Sequence, residues 1–382
     1  MTLYEVSFWT KKAAYGALIL IVVLIGCWIA RNFIEKVTEI INRPAAEAPQ
    51  NGFGIVGAIS IKSNYGADNF TPQFSIETPS STLPTFSELN NIINVFKLDE
   101  KPRDLQSDQK ARDVAKKLSF TADPKVSNDI IYSWNENSKF LIYNRQYSVF
   151  EYYISAFTSN PSTNTDKFNL SNSDSAASII FDKIGVKVNY LDNSSSNNLI
   201  NYTVTSDYVN YDLKTRIANK AINSDTAQYV RLNINRSIAI KNSKDNLVDI
   251  FDNNTSTNIV SIIMKNTSNI DINNVAQIEF YNWNIDPTKG QTYKIISAGD
   301  AYTKLSSDKQ TLIRAVNSST GTPAELTDVN SINKVRVLDV KVGYYQTSQV
   351  LTFTQPVYEF MCEGTTATGS NIDLTYYVPA LP

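Results

Sequence analysis

The pattern of apolar and polar positions divides the chain into one long apolar run and a much longer stretch of short, one-sided patterns. Residues 13–30 read AAYGALILIVVLIGCWIA and carry no charge. At ~1.5 Å per residue such a run makes ~27 Å of helix, close to the ~30 Å hydrocarbon core of a bilayer, so the pattern predicts a transmembrane helix. Lys11 and Lys12 flank it on one side and Arg31 and Lys36 on the other, so flanking charge does not set the orientation. A short stub, residues 1–12, before a large C-terminal part is the usual signal-anchor arrangement. It predicts a single-pass protein of the cytoplasmic membrane, in contact with lipid through residues 13–30, with the bulk of the chain extracytoplasmic. Two alternatives stay open. One is a cleaved secretion signal, although no small-x-small site follows the run. The other is a lipoprotein: Leu24-Ile25-Gly26-Cys27 has the shape of a lipobox, but Trp28-Ile29-Ala30 stays apolar where a tether would be polar. Phe33, Val37, Ile40 and Ile41 continue the helical spacing to a stop at Pro44, as a rigid stalk or as a helix that pairs with another.

Beyond the linker at residues 45–50, three segments show apolar residues at i, i+3, i+4 and i+7. They are Ala111, Val114, Ala115 and Leu118; Ala177, Ile180, Phe181 and Ile184; and Ala298, Ala301, Tyr302 and Leu305. Each stripe is the mark of a helix laid on a sheet. Ser171-x-x-Asp174 and Ser297-x-x-Asp300 have the form of capping boxes at two of the starts. Alternation predicts strands at 140–143 and 148–154 around a turn at Asn144-Arg145, at Val186–Tyr190, Val230–Ile234, Leu338–Tyr344 and Ile372–Val378. Such half-polar strands belong to antiparallel sheets with one covered face. The predicted class is α+β: a transmembrane helix and stalk over 13–43, a first domain of antiparallel sheet with packed helices over 44–156, a turn-rich linker over 157–172, and a larger domain over 173–382.

Composition narrows the chemistry. The 382 residues carry a net charge of −2 with lysines scattered, which removes the clustered cations that nucleic acid needs. There is no histidine, so Ser-His and Cys-His nucleophilic systems and imidazole metal sites are excluded. Cys27 and Cys362 are too far apart in kind and place to pair, and Cys362 reads as a buried thiol or an intermolecular link. The S-x-x-K spacings Ser107/Lys110 and Ser306/Lys309 lack the companion motifs of a Ser-Lys enzyme. Asp245, Asp249 and Asp252 form an oxygen-rich loop with neither the spacing nor the glycine of a calcium hand, and no cofactor is called for. Paired tyrosines place one ring on each strand face. The outward rings Tyr153, Tyr345 and Tyr377 are candidates for a partner-binding platform, with cross-strand packing as the alternative. Pro356 cannot donate to a ladder and marks a candidate edge where a partner strand could add.

A resemblance attaches to some of these elements. Residues 110–144, KARDVAKKLSFTADPKVSNDIIYSWNENSKFLIYN, resemble the helix, turn and Trp-containing hairpin of PepSY-like modules. The order YKIISAGDAYTKL (293–305), VRVLDVKVGYY (335–345) and QPVYEF (355–360) is similar to YycH/YycI-type extracytoplasmic accessory proteins of a cell-wall sensor kinase and to spore-germination PepSY proteins. Leu83-Pro84, Tyr132-Ser-Trp134 and Tyr377-Val-Pro-Ala380 resemble uncharacterised single-pass proteins of candidate-phylum bacteria. The resemblance implies a non-catalytic binding or regulatory protein that contacts another envelope protein or a peptide. Asn-rich insertions at 192–198 and 252–258 depart from the accessory-protein pattern and put a shared partner in doubt. A structural envelope or surface-layer component is the alternative. An enzyme on wall polymers would need facing carboxylates, of which the sequence shows no pair.

Overall fold

The structure, a computed structural model, describes Leu24, Gly26, Trp28, Ala30 and Arg31, and residues 48–382 apart from 62, 66–71, 87–88, 90, 101–104, 158–165, 187–198, 241–246, 253–257, 259, 308–311 and 320–321. Two compact units are Met1–Ala48 and Pro49–Pro382. In the first, Leu24, Gly26, Trp28 and Ala30 are helical, and Leu24 and Trp28 are exposed. The rest of the expected span, Cys27 and the stalk's apolar positions lie outside the described residues. Among the described residues no helix is long and apolar enough to cross a membrane. The longest, Leu105–Lys117, has 13 residues and a largely polar sequence, where a crossing needs ~20 apolar ones. This corrects the expectation of a single-pass signal-anchor protein held at the cytoplasmic membrane through residues 13–30.

The second unit is built mainly of strands. They are β1 (Gln73–Ile76), β2 (Ile92–Lys97), β3 (Lys125–Ser127), β4 (Ile131–Glu136), β5 (Lys139–Asn144) and β6 (Val149–Ile154). Then come β7 (Ile200–Tyr211), β8 (Ala218–Lys220), β9 (Tyr229–Ala239), β10 (Leu247–Phe251), β11 (Val260–Lys265) and β12 (Val275–Phe280). The last are β13 (Gln291–Lys294), β14 (Leu312–Asn317), β15 (Lys334–Tyr345), β16 (Phe353–Thr365) and β17 (Asn371–Pro379). Among the described residues four α-helices interrupt them: α1 (Leu105–Lys117), α2 (Ser173–Ile184), α3 (Ala298–Ser307) and the short α4 (Leu326–Asn330).

A first, antiparallel sheet runs β3-β4-β5-β6-β12-β11-β9-β7-β8. A second runs β14-β17-β16-β15, with β1 and β10 both parallel to β15 on its outer side. β10 also pairs with β9, so it ties the two sheets together, and β2 links β13 to the start of β16. All 17 strands therefore join one mixed network. This corrects the α+β expectation of two separate antiparallel domains. Strands from both sides of 157–172 pair directly: β6 with β12, β2 with β13 and β16, and β1 with β15. Long crossovers also permit the two parallel pairings that a local pattern does not reveal.

The helices form where the stripes predict. Ala111, Val114, Ala115 and Leu118 of α1 and the chain just after it are buried with Ala177, Ile180, Phe181 and Ile184 of α2 against the first sheet. Ala298, Ala301 and Leu305 of α3 are buried on the second, with Tyr302 half-buried beside them. Each fully buried aliphatic or Phe side chain contributes about 1.5–3 kcal/mol before conformational entropy is charged against it. Ser297 and Asp300 form the predicted reciprocal cap: the Asp300 amide donates to Ser297 Oγ at 3.0 Å, and the Ser297 amide donates to Asp300 Oδ2 at 3.3 Å. Ser171 forms no such box. It lies within a 3-10 turn, Leu170–Asn172, capped by Asn169, and α2 begins after it. α2 ends at Gly185, whose φ of 73° is left-handed, and the Val186 amide donates to Phe181 O at 2.9 Å across the turn. The predicted strand at Val186–Tyr190 falls beyond this turn, mostly outside the described residues.

Candidate functional site

α1 and α2 touch each other on the first sheet. A cleft of about 520 Å³ opens where the end of α2, one face of α1 and the β5–β6 turn meet. Its floor is aromatic and fixed. Tyr143 of β5 stacks on Phe150 of β6 at 5.8 Å, and Phe150 stacks on Phe280 of β12 at 5.2 Å. Phe181 of α2 meets Phe280 edge-on at 5.5 Å. Tyr147 in the turn stands edge-on to Trp283 at 5.4 Å and donates its hydroxyl to Glu100 at 3.3 Å. Gln146 donates to the same carboxylate at 2.9 Å, and Trp283 donates its ring N–H to Thr347 O at 2.7 Å. Burial pushes the Tyr143 phenol up, partly offset by its hydrogen bond with Ser148. These rings are held by one another and by the chain's own hydrogen bonds, the kind of pre-organisation that ligand recognition rewards.

The rim is charged. Lys110, Asp113 and Lys117 recur at i, i+3 and i+7 of α1, on the exposed side of the buried Val114. Gly185 and Val186 close the far wall, and Asn282 and Asn284 supply amides beyond β12. Lys117 reaches across to Gly185: a Cβ built there would meet its Nζ at 2.1 Å. The cation thus sits by the carbonyl end of α2, where the helix dipole favours it.

The residues expected from the sequence to bind a partner are elsewhere. Tyr345 and Tyr377 are 3% and 5% exposed, edge-on to each other at 5.8 Å. They form a small core with Ile59, Ile61, Ile313 and Val357, because an irregular segment of this chain around residues 55–61 covers that sheet face. Tyr153 is half-buried between Phe140, stacked at 4.7 Å, and the Arg216 guanidinium, 4.6 Å from the ring centre. Pro356 is buried in β16, opposite Tyr344 of β15, and its carbonyl accepts the Ala380 amide at 3.1 Å, so it does not lie on a free edge. The four are not brought together.

The other motifs are also dispersed. Ser107 is buried while Lys110 is exposed, and the Ser306 hydroxyl donates to helix carbonyls of Tyr302 and Thr303. Lys309 and Asp245 lie outside the described residues. Among the described residues no three His, Cys, Asp or Glu side chains gather in a way that could hold a metal. Cys362 is buried, and burial pushes its thiol far above the ordinary range, which makes it a poor nucleophile. The cleft residues Tyr143, Tyr147 and Phe280 carried no separate signal, because only the pairing of β6 with β12 brings Phe280 under the β5–β6 hairpin.

No protein-family model matches the chain, and no curated protein matches it. Among solved structures it is similar to the crystal structure of an uncharacterized protein from Eubacterium rectale, with a TM-score of 0.32 and 11% sequence identity over 75% of this chain and 83% of that one.

Proposed function

We propose that this is a non-catalytic binding protein that holds a segment of another protein, or a free peptide, in the cleft between α1, α2 and the β5–β6 turn. A single observation carries the reading: a stacked aromatic floor lies under a rim with two lysines, in a concavity of about 520 Å³. That size is within the ~300–1,000 Å³ of ordinary ligand pockets. An apolar side chain of the bound segment lies on Tyr143 and Tyr147, and acidic neighbours meet Lys110 and Lys117. Asn282 and Asn284 satisfy the backbone of the bound segment. The absence of histidine and the scattered S-x-x-K pairs support the non-catalytic part. The resemblance to PepSY-like accessory modules implies the same kind of role.

The test is selection of ligands from a displayed random-peptide library, followed by titration of the enriched peptides. Enriched sequences should pair an apolar or aromatic residue with Asp or Glu. The double variant Lys110→Glu/Lys117→Glu should bind them about tenfold more weakly, since each rim charge is worth up to ~1 kcal/mol. Absence of enrichment, or equal affinity for the double variant, overturns the proposal. Ordered self-assembly without peptide capture would instead favour a structural component.

A further inference from the structure

Arg236 occupies a position where alternation asks for an apolar residue. It stands in the inward row of β9 between Ile234 and Ile238, both buried, and opposite Tyr202 of β7. The residue is 8% exposed, and burial pulls its guanidinium down from the ordinary value. An arginine nonetheless keeps its proton in a protein, so a unit charge is buried here. Nη1 donates to Asn282 Oδ1 at 2.5 Å and to Trp283 O at 2.8 Å, and both acceptors are neutral. Nη2 has no partner, and no carboxylate acts on the group among the described residues. A buried cation without a counter-charge is costly, and pairing removes much of that cost.

Arg236 lines a small cavity of about 20 Å³ beside β10, the strand that ties the two sheets together. At least ~10–15 Å³ is needed to hold one water, so the space takes a water or a single ion of similar size. Gln346, just past the end of β15 and 2% exposed, lines the same cavity. Its Nε2 donates to Thr354 Oγ1 at 3.2 Å, and its Oε1 has no partner. A half-turn of this amide exchanges its ends, because the Thr354 hydroxyl donates as readily as it accepts. Gln346 then offers the cavity an N–H beside that of Arg236. Ile234, Ile250 and Val260 supply apolar lining, which keeps the local dielectric low and strengthens any ion pair. Asp252 and Asn258 also line the space. Asp252 acts on the Tyr345 and Tyr377 phenols, but the ionisable group that acts on Arg236 is Tyr202.

We propose that this cavity binds one monovalent anion of chloride size, held by Arg236 Nη2 and the Gln346 amide. A water would engage both unpartnered atoms but leave the buried charge unbalanced, whereas an anion balances it. The volume excludes polyatomic anions such as phosphate. The anion ties β9 of the first sheet to the β15–β16 turn of the second, so its effect is on the stability of the folded chain. The site stands independently of the peptide cleft.

The test is thermal unfolding of the full chain in potassium chloride, bromide and gluconate at one ionic strength, with bromide located by anomalous scattering in crystals. Gluconate is too large for the cavity. Chloride and bromide should raise the midpoint saturably above that in gluconate, by about 2 °C at ten times the dissociation constant. Bromide should lie against Arg236 and Gln346. Gln346→Glu sets a carboxylate of the same shape in the cavity and leaves Arg236 and its other hydrogen bonds in place. This variant should lose the halide response and, in gluconate, unfold no lower than the parent. Arg236→Met should lose the response as well. A midpoint indifferent to halide, a water alone at the position, bromide bound at crystal concentration only, or an undiminished response in Gln346→Glu overturns the proposal.

Discussion

Replacing Glu359 by Gln should remove a specific pH dependence of stability. The carboxyl is carried from 4.5 to about 7 chiefly by burial, with Asp249 and Asp339 raising it further and Lys341 and Arg314 opposing. Between those two values the folded chain holds a proton that the unfolded chain has released. Stability from this group is therefore fully present below about 4.5 and is lost as pH rises through about 7. The full interval corresponds to about 3 kcal/mol. Water reaching the half-buried group screens that to about 1–2 kcal/mol. Gln has the shape and neutrality of the protonated acid and cannot ionise, so the variant should match the parent near pH 4.5 and exceed it by about 1–2 kcal/mol at pH 8. Urea unfolding followed by tryptophan fluorescence at both pH values gives the double difference. Carboxylates held low by hydrogen bonds and ion pairs, such as Asp108 beneath Tyr132 and Asp271 at the Asn273 amide and Lys183, are common to both proteins and cancel. Equal pH profiles for parent and variant would refute the reasoning.

Other perturbations test the framework around the cleft. Gly185→Ala forces a side chain into a φ of 73° and should cost about 1–2 kcal/mol in urea unfolding. The cost should persist when Lys117 is also shortened to Ala, because the flexible end of that lysine can move aside. Phe181→Ala removes a fully buried ring that packs on Phe280 and should cost about 3–5 kcal/mol, with no measurable stability change as the disproof. Ser297→Ala should lose about 1 kcal/mol through its cap on α3, whereas Ser171→Ala should stay within about 0.5 kcal/mol because its hydroxyl caps nothing. Similar losses for the two serines would contradict the capping geometry.

Local periodicity carried the elements well and their partners poorly. The stripes of α1, α2 and α3 and the alternation of β9 and β17 each specify a buried face, and those faces are buried. A face does not say what covers it. Nothing in Phe74 or Ile76 points to Val335 and Val337 across some 260 residues of chain, yet β1 pairs with β15 in parallel register. In β15 the strict alternation also breaks. A bulge after Val337 leaves Leu338 about a third exposed, at 37%, and restores Val340 and Tyr344 to the core, so Leu338 does not share their face. The apolar run at 13–30 is a property of composition, and composition alone led to a membrane span that no described helix provides.

The site was less legible than the fold because it is made by closure between distant segments. Alternation correctly sets Tyr345 and Tyr377 opposite Tyr344 and Tyr376. It cannot foresee that Ile59 and Ile61, in a segment without any regular period, lie over the outward pair. For Pro356 the missing N–H required a gap in a ladder, and the gap exists in a form that the sequence could not distinguish from an edge. The β16–β17 ladder ends at Val357 and Pro379, so the proline falls one residue past the last pair, inside the sheet. The cleft needs α1 for its cations, β5 and the turn for two tyrosines, α2 for its far wall and β12 for Phe280. Each of those residues, taken in its own segment, is an ordinary surface lysine or core aromatic. The cleft proposed for recognition forms only once β6 pairs with β12 and α1 packs beside α2. The charge reversal at Lys110 and Lys117 therefore tests an assembled surface: both lysines are exposed, and Lys117 reaches to the end of α2.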